Sequence, residues 1–424
     1  MSDDFSYISG ELCAEQIPIA ELAEKYGTPF YVYSHAALTR QFSSFSNAFS
    51  SVSHLVCFAM KSNSNIAILR LFSGMGGGLD IVSGGELYRA VKAGVPGERI
   101  VFAGVGKSDE EIEYALKQKV LMFNVESEEE MFNINEVAQR NSQVARVALR
   151  VNPDVDPKTH PYISTGLKKS KFGIDISKAR EEYARAASFG SIELSGVHCH
   201  IGSQITTTSP FADAVEKVVE LVGSLRSDGH EICFLNLGGG LGISYKDENP
   251  PHPNDYAKTI VPLIKDLGCK IIFEPGRFIS GNAGVLVTRV LYKKQNPEKR
   301  FVIVDAGMND LIRPSLYEAF QKVLPVEEQL LGTTKFLSDL VGPICESGDY
   351  LAKDREMPEF SRDNLVAVMS SGAYGFTMAS NYNSRPRPPE LLVQGKDSYL
   401  IRARESYEDL IRGEEIPSFL LSKE

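Results

Sequence analysis

Four short runs carry side chains whose types and spacing could do chemistry. CFAMKSN holds Lys61 at the end of an apolar stretch, where alternate residues Leu55, Cys57, Ala59 and Lys61 would share one face of a strand. An amine on a core-facing side is desolvated, which lowers its pKa and frees the lone pair needed to condense with an aldehyde. NLGGGLGI supplies Gly238, Gly239, Gly240 and Gly242, where bare backbone can approach a phosphate and N–H groups can cradle it. FEPGRF sets Glu274 close before Arg277. A buried carboxylate needs a cationic partner, and either Arg277 or a protonated ring nitrogen of a ligand would serve. VHCHIGSQ puts His198 and His200 on one strand face and Cys199 on the other. His200 could stack on a planar ligand. A metal site is not expected, because no carboxylate or cysteine stands at ligand spacing. Taken singly, each run has an ordinary explanation: a rim lysine, a tight turn, an ion pair, core histidines.

The elements that must position these groups alternate in type. Between 54 and 276, short apolar segments at 54–60, 79–82, 100–103, 121–125, 145–151, 194–200, 234–237 and 270–273 are separated by helical patterns. About eight such units predict an α/β fold with a (β/α)8 TIM-type barrel. Each segment is followed by residues suited to a site: Lys61, Ser83, Gly104, Glu126, Asn152, Gly202, Gly238 and Glu274. A parallel barrel brings every strand's carboxyl end to one rim, and the glycine loop after strand seven occupies a usual phosphate position. After Arg277 the rhythm becomes strand-like at 286–292, 301–305, 365–369 and 398–403, with Gly, Pro and Asn turns. The expected organisation is a barrel over 35–279 and a mainly β domain over 280–424 that recruits the segment 1–34, including the 30–33 run.

Bulk properties exclude several classes. A hydrophobic fraction of 43% and a charged fraction of 24% over 424 residues fit a folded protein of two domains. The formal net charge of -10 disfavours nucleic acid and anionic membranes as partners. MSDDFSYISG has neither the basic start nor the apolar run of a secretory signal, so a cytoplasmic location is expected. The six cysteines form no CxxC pair, which suits reduced thiols.

The ordered motifs AMKSN, GLDIVSGGE with Asp80 and Glu86, SKFG at 170–173, HIGSQ, GGGLG and EPGR resemble the alanine-racemase-fold, group IV pyridoxal-phosphate decarboxylases. RPSLY from Arg313 to Tyr317, GPICES with Cys345 and Glu346, SGAYG with Tyr374, and YNSRPRPPE from Tyr382 are similar to the diaminopimelate decarboxylases within that group. The resemblance covers roughly Gly27 to Val393, and its departures, such as Ser62, remove no chemical group. It implies pyridoxal 5'-phosphate as cofactor, with Lys61 forming the Schiff base, His200 stacking on the ring and Glu274 at the pyridine nitrogen. Asp80 belongs to the same cofactor site. Ser203, Gly238, Gly239, Gly240, Gly276, Arg277 and Tyr374 would hold the phosphate region. Arg277, Arg313, Tyr317, Glu346 and Tyr374 would bind substrate, and Cys345 would be the proton donor. The resemblance also implies a homodimer with shared active sites and meso-2,6-diaminopimelate as substrate.

That substrate suits the side chains. Paired guanidinium groups favour a distal carboxylate, and Glu346 favours a distal ammonium. Ornithine or arginine would leave the guanidiniums unmatched. A polyamine-type decarboxylase of the same fold is therefore the main alternative. A non-catalytic regulatory homologue would be expected to lack Lys61 or Cys345, and a racemase to carry arginine in place of Glu274.

Overall fold

The computed structural model describes residues 4–156 and 171–421; Ser170, which opens the SKFG run, lies outside the described residues. The chain divides into two compact units, 37–283 and 1–36 together with 284–424.

The unit 37–283 is built on eight parallel strands: His54–Ala59, Gly78–Ile81, Ile100–Phe102, Met122–Val125, Ala145–Asn152, Ile192–His198, Phe234–Asn236 and Lys270–Phe273. They pair in chain order, and the last returns to the first through Ile271↔His54, Ile272↔Leu55 and Phe273↔Val56. The sheet is thus the closed barrel that the alternating pattern predicts. Its strands read as continuous apolar runs because helices cover one face and the barrel core fills the other. Serines fix where the chain re-enters helix: Ser83, Ser108 and Ser127 each accept an N–H from the residue three ahead.

The sixth strand departs from expectation. Its pairing with the fifth shifts between Leu194 and Gly196, and it ends at His198. The same-face argument therefore reaches His198 only, and His200 lies beyond the strand. The bulge and the need to turn at the rim override the apolar continuity of the sequence.

Inside the barrel, chemistry changes with height. Leu55, Cys57, Val101, Leu121, Met122, Ala148 and Ile272 pack with Phe234 into an apolar plug. Two residues further along the same strands, Met122 gives way to Asn124, Ala148 to Arg150, Phe234 to Asn236 and Ile272 to Glu274, all buried. The period-two rule that points apolar residues inward also delivers these polar ones to the carboxyl-terminal mouth.

The other unit is mainly β, as expected. Its large sheet runs in the order Tyr350–Pro358, Lys335–Val341, Arg300–Val304, Gly284–Gln295, Phe30–Ser34, Glu390–Gln394, Asp397–Arg402, with Leu365–Val368 pairing off this path to the long strand Gly284–Gln295 and Val323–Pro325 pairing in turn to Leu365–Val368. The Phe30–Ser34 strand joins through Tyr33↔Gly284 and Glu390↔Tyr31. A three-stranded sheet of Phe5–Ile8, Glu11–Ala14 and Ile17–Pro18 packs Phe5, Leu12 and Ile17 against Val285, Val287 and Leu391. That sheet and the strands Lys335–Val341 and Tyr350–Pro358 are not evident in sequence, because their polar faces interrupt the apolar pattern. RPSLY forms a single helical turn, Arg313–Tyr317. Among the described residues no helix is long and apolar enough to cross a membrane.

Candidate active site

Lys61 follows the first barrel strand, and its Nζ donates to Asp80 Oδ2 at 2.5 Å. The Lys61 side chain is 39% exposed. The expected desolvation of this amine is thus corrected: past the strand end, the side chain rises into the open mouth of the barrel. Burial lies instead with its partner, whose side chain is 0% exposed. Burial, and then the charge of Glu274, push Asp80 up to about 7 against the pull of Lys61.

Glu274 stands at the centre of the mouth. Its Oε1 accepts from Asn124 Nδ2 at 3.1 Å and Asn236 Nδ2 at 2.6 Å, and its Oε2 lies 3.5 Å from His198 Nε2. The last is an electrostatic approach rather than a hydrogen bond, since both His198 ring nitrogens lack a hydrogen-bond partner among the described residues. Burial alone would raise Glu274, but His198, Lys61 and Asn236 more than offset it and hold the carboxyl well below its usual range. The simple Glu274 to Arg277 ion pair is not what forms. Arg277 is buried, and it donates to Tyr245 Oη at 2.6 Å and to Ser203 Oγ at 3.0 and 3.2 Å.

The glycine turn does something other than offer every N–H. Gly238 N–H donates to Asn236 Oδ1 at 2.9 Å, and Gly239 N–H to His200 Nδ1 at 3.2 Å. These two glycines serve close approach: a Cβ on Gly239 would sit 2.2 Å from the Glu274 carbonyl, and one on Gly238 2.8 Å from the His200 ring. Gly240, at φ +122, would bring a Cβ within 2.7 Å of the Gly202 carbonyl. A Cβ on Gly276 would likewise come within 2.9 Å of Ser62 Oγ. His200 is thereby fixed on the turn, and burial, followed by Arg150 and Lys61, holds its imidazole down to about 3. The ring is neutral at working pH.

The fold therefore gathers Lys61, Asp80, His200, Ser203, Gly238, Gly239, Gly240, Glu274, Gly276 and Arg277 around one barrel mouth. Asn124, Asn236 and Tyr245, which hold the acid and the guanidinium, escaped the sequence reading. Two of them were within reach of it: Asn124 and Asn236 are polar residues at core-facing positions of apolar strands. Glu126 was among the expected rim residues, but its buried partner Arg150, 2.6 Å away, was missed.

The remaining expected residues belong to the β unit. Arg313 is buried, and with the Gln321 amide oriented to satisfy its neighbours, Arg313 Nη1 donates to that oxygen at 2.6 Å. Ser315 Oγ, on the same helical turn as Tyr317, donates to Gly348 O at 2.6 Å and ties the turn to the loop carrying Cys345 and Glu346. Both of those loop residues are exposed. Tyr374 is half-buried and adopts φ 55, a left-handed conformation uncommon for bulky residues.

The barrel mouth fits pyridoxal phosphate on its own chemistry. It offers an amine for an aldehyde, an ionised carboxylate for a ring nitrogen, and a guanidinium with a hydroxyl for an ester phosphate. Asp80 Oδ1 and Asn124 Oδ1 are buried there without hydrogen-bond partners among the described residues.

Residues 35–281 match the family model described as "Pyridoxal-dependent decarboxylase, pyridoxal binding domain". Barrel, site and match together define the class as pyridoxal-dependent decarboxylases. The chain is 51% identical to a diaminopimelate decarboxylase of Aquifex aeolicus over 406 residues, 96% of each chain. Among solved structures it is similar to the diaminopimelate decarboxylase of M. jannaschii in complex with L-lysine, at TM-score 0.93, 40% identity and 99% coverage of both chains. It is also similar to that of Helicobacter pylori complexed with L-lysine, at TM-score 0.89 and 44% identity, covering 93% of this chain and 98% of that one. Within the class, the chain belongs to the diaminopimelate decarboxylase family.

Proposed function

We propose that this protein removes one carboxyl group of meso-2,6-diaminopimelate, releasing carbon dioxide and L-lysine, with pyridoxal 5'-phosphate as cofactor. The observation that carries the reading is the mouth of the barrel, where Lys61 on Asp80, Glu274 on two amides and Arg277 on Ser203 meet within a chain of this family.

When bound, pyridoxal phosphate supplies an aldehyde for amines and a conjugated ring into which the charge left at Cα spreads. Lys61 is the amine that receives it, and Asp80 orients that amine. Glu274 stays ionised and holds a proton at the pyridine nitrogen; each unit by which it raises that pKa is worth about 1.4 kcal/mol of protonated form. His200 offers a flat, uncharged face for stacking. Arg277 and Ser203 bind the phosphate region, with Gly240, Gly276 and Tyr374 supporting it. Arg277, Arg313 and Tyr317 offer donors to the distal carboxylate, and Glu346 accepts from the distal ammonium. Cys345 delivers the proton to Cα, a role open to a positioned thiol acting as general acid. The active form is a homodimer in which the Cys345 loop of one protomer serves the barrel of its partner, working in the cytosol.

The test is direct. Purified protein supplied with pyridoxal phosphate is assayed for carbon dioxide and lysine from meso-diaminopimelate, and for carbon dioxide from ornithine and arginine. Release from ornithine or arginine as fast as from meso-diaminopimelate would remove the substrate assignment. Absence of a borohydride-sensitive visible absorbance band would remove the cofactor.

A further inference from the structure

The exposed loop that carries Cys345 and Glu346 is held at two levels. At its base, Asp349 accepts N–H groups from Met308 at 2.6 Å and Ile344 at 2.7 Å, so the loop leaves and re-enters the sheet at a pinned point. At its tip, the grip comes from a segment far away in sequence. Asn383 Oδ1 accepts the Cys345 N–H at 2.8 Å, and Tyr382 Oη donates to Glu346 Oε2 at 3.2 Å. Consecutive residues thus hold consecutive residues, one through backbone and one through side chain.

The gripping segment is itself built for position. Asn383 and Ser384 take left-handed conformations, φ 56 and φ 52. Such conformations persist in residues other than glycine where their surroundings over-determine them. The surroundings here are Glu405, whose carboxylate accepts from Asn381 Nδ2 at 2.7 Å, from the Arg387 N–H at 2.9 Å and from the Arg387 guanidinium. Burial would raise Glu405, yet Arg387 and Asn381 hold it down to about 2. The anchor therefore stays charged across the working range.

We infer that Tyr382 and Asn383 are positioning residues: Asn383 fixes the backbone that aims the Cys345 thiol, and Tyr382 fixes the rotamer of Glu346 that selects the substrate's distal ammonium. The inference rests on the roles proposed above for Cys345 and Glu346. An exposed carboxylate on a flexible stem spreads over several rotamers, and one hydrogen bond from a rigid phenol concentrates it in one. A thiol is positioned through its backbone, because its single χ angle leaves little else to adjust.

The two grips predict different kinetic signatures in the holoenzyme. Asn383→Gly keeps a backbone at ease with positive φ and deletes only the acceptor. It is expected to lower kcat roughly fivefold with KM for meso-diaminopimelate within about twofold, the scale of one lost hydrogen bond. Asn383→Asp, which keeps the acceptor, is expected to restore kcat to within about twofold of the parent. Tyr382→Phe is expected to raise KM roughly fivefold with kcat little changed, and to have no further effect in a Glu346→Ala background, where no acceptor remains. An Asn383→Gly protein as active as the parent, an Asp variant as impaired as the Gly variant, or full additivity of Tyr382→Phe with Glu346→Ala would each overturn the inference. If Cys345→Ala and Glu346→Ala themselves retain parental kinetics, the underlying roles fall. If those two are impaired while Asn383→Gly and Tyr382→Phe are inert, only the positioning claim falls.

Discussion

The barrel mouth and the Cys345 loop solve opposite problems. In the mouth the acids Asp80 and Glu274 are buried and held by neighbouring side chains, Asp80 by Lys61 and Glu274 by Asn124 and Asn236, while Lys61 itself stays partly open. In the loop, thiol and carboxylate are exposed and held from one side only. The first arrangement is what binding and tuning a cofactor demands, since a low-dielectric setting strengthens each fixed charge. The second suits the roles proposed for Cys345 and Glu346, whose contacts with a ligand form and break in each cycle. Within the roles proposed above, the fixed acids Asp80 and Glu274 are sealed, whereas Lys61, Cys345 and Glu346, which change partners during turnover, keep access to solvent.

The sharpest way to break this division is to empty each half in turn. Lys61→Ala is expected to reduce carbon dioxide release by roughly a thousandfold or more and to abolish the borohydride-sensitive absorbance. Glu274→Gln keeps the cofactor and its shape but loses the ionised acid; turnover is expected to fall about a hundredfold with absorbance retained. Cys345→Ala is expected to cost more than about tenfold in kcat, again with cofactor bound. Mixing the Lys61→Ala and Cys345→Ala proteins sharpens the comparison further. If the two halves come from different protomers, random exchange regenerates intact sites and up to about a quarter of parental activity returns. If both halves come from one chain, none returns.

The smallest expected effect is on stability. The folded chain raises Asp80 from 3.8 to about 7, so across that window it keeps a proton that the unfolded chain has shed. Stability contributed at this group is therefore lost as pH rises from about 4 to about 7. Asp80→Asn removes the penalty, and thermal unfolding of the cofactor-free variant is expected to gain on the parent by a few degrees over that interval. A constant difference between the two proteins at all pH values would show that Asp80 titrates as an ordinary carboxyl.

Much of the architecture was legible because parallel barrel strands are short, apolar and regularly spaced. All eight were found with ends within two residues of those observed. The rim residues Lys61, Glu274 and Arg277 were legible as polar residues that end apolar runs. What the sequence did not reveal was partnership. Arg277 sits close to Glu274 in the chain, yet it turns to Ser203 and Tyr245, because residues past a strand end are aimed by the loops they meet. The strands Lys335–Val341 and Tyr350–Pro358 stayed hidden because a sheet with one polar face dilutes its apolar signal.

By itself the sequence determined which chemical groups exist, which strands carry them, and that an amine, a carboxylate and a glycine turn share one rim. Periodicity is a local property, and a parallel barrel converts it directly into position. Tertiary structure alone decided which donor meets which acceptor, that Lys61 stays partly open while Asp80 is sealed, and that Tyr382 and Asn383 reach Glu346 and Cys345. Those outcomes depend on contacts between residues distant in the chain, and on the burial those contacts create. Neither is encoded in the spacing of residues along any one segment.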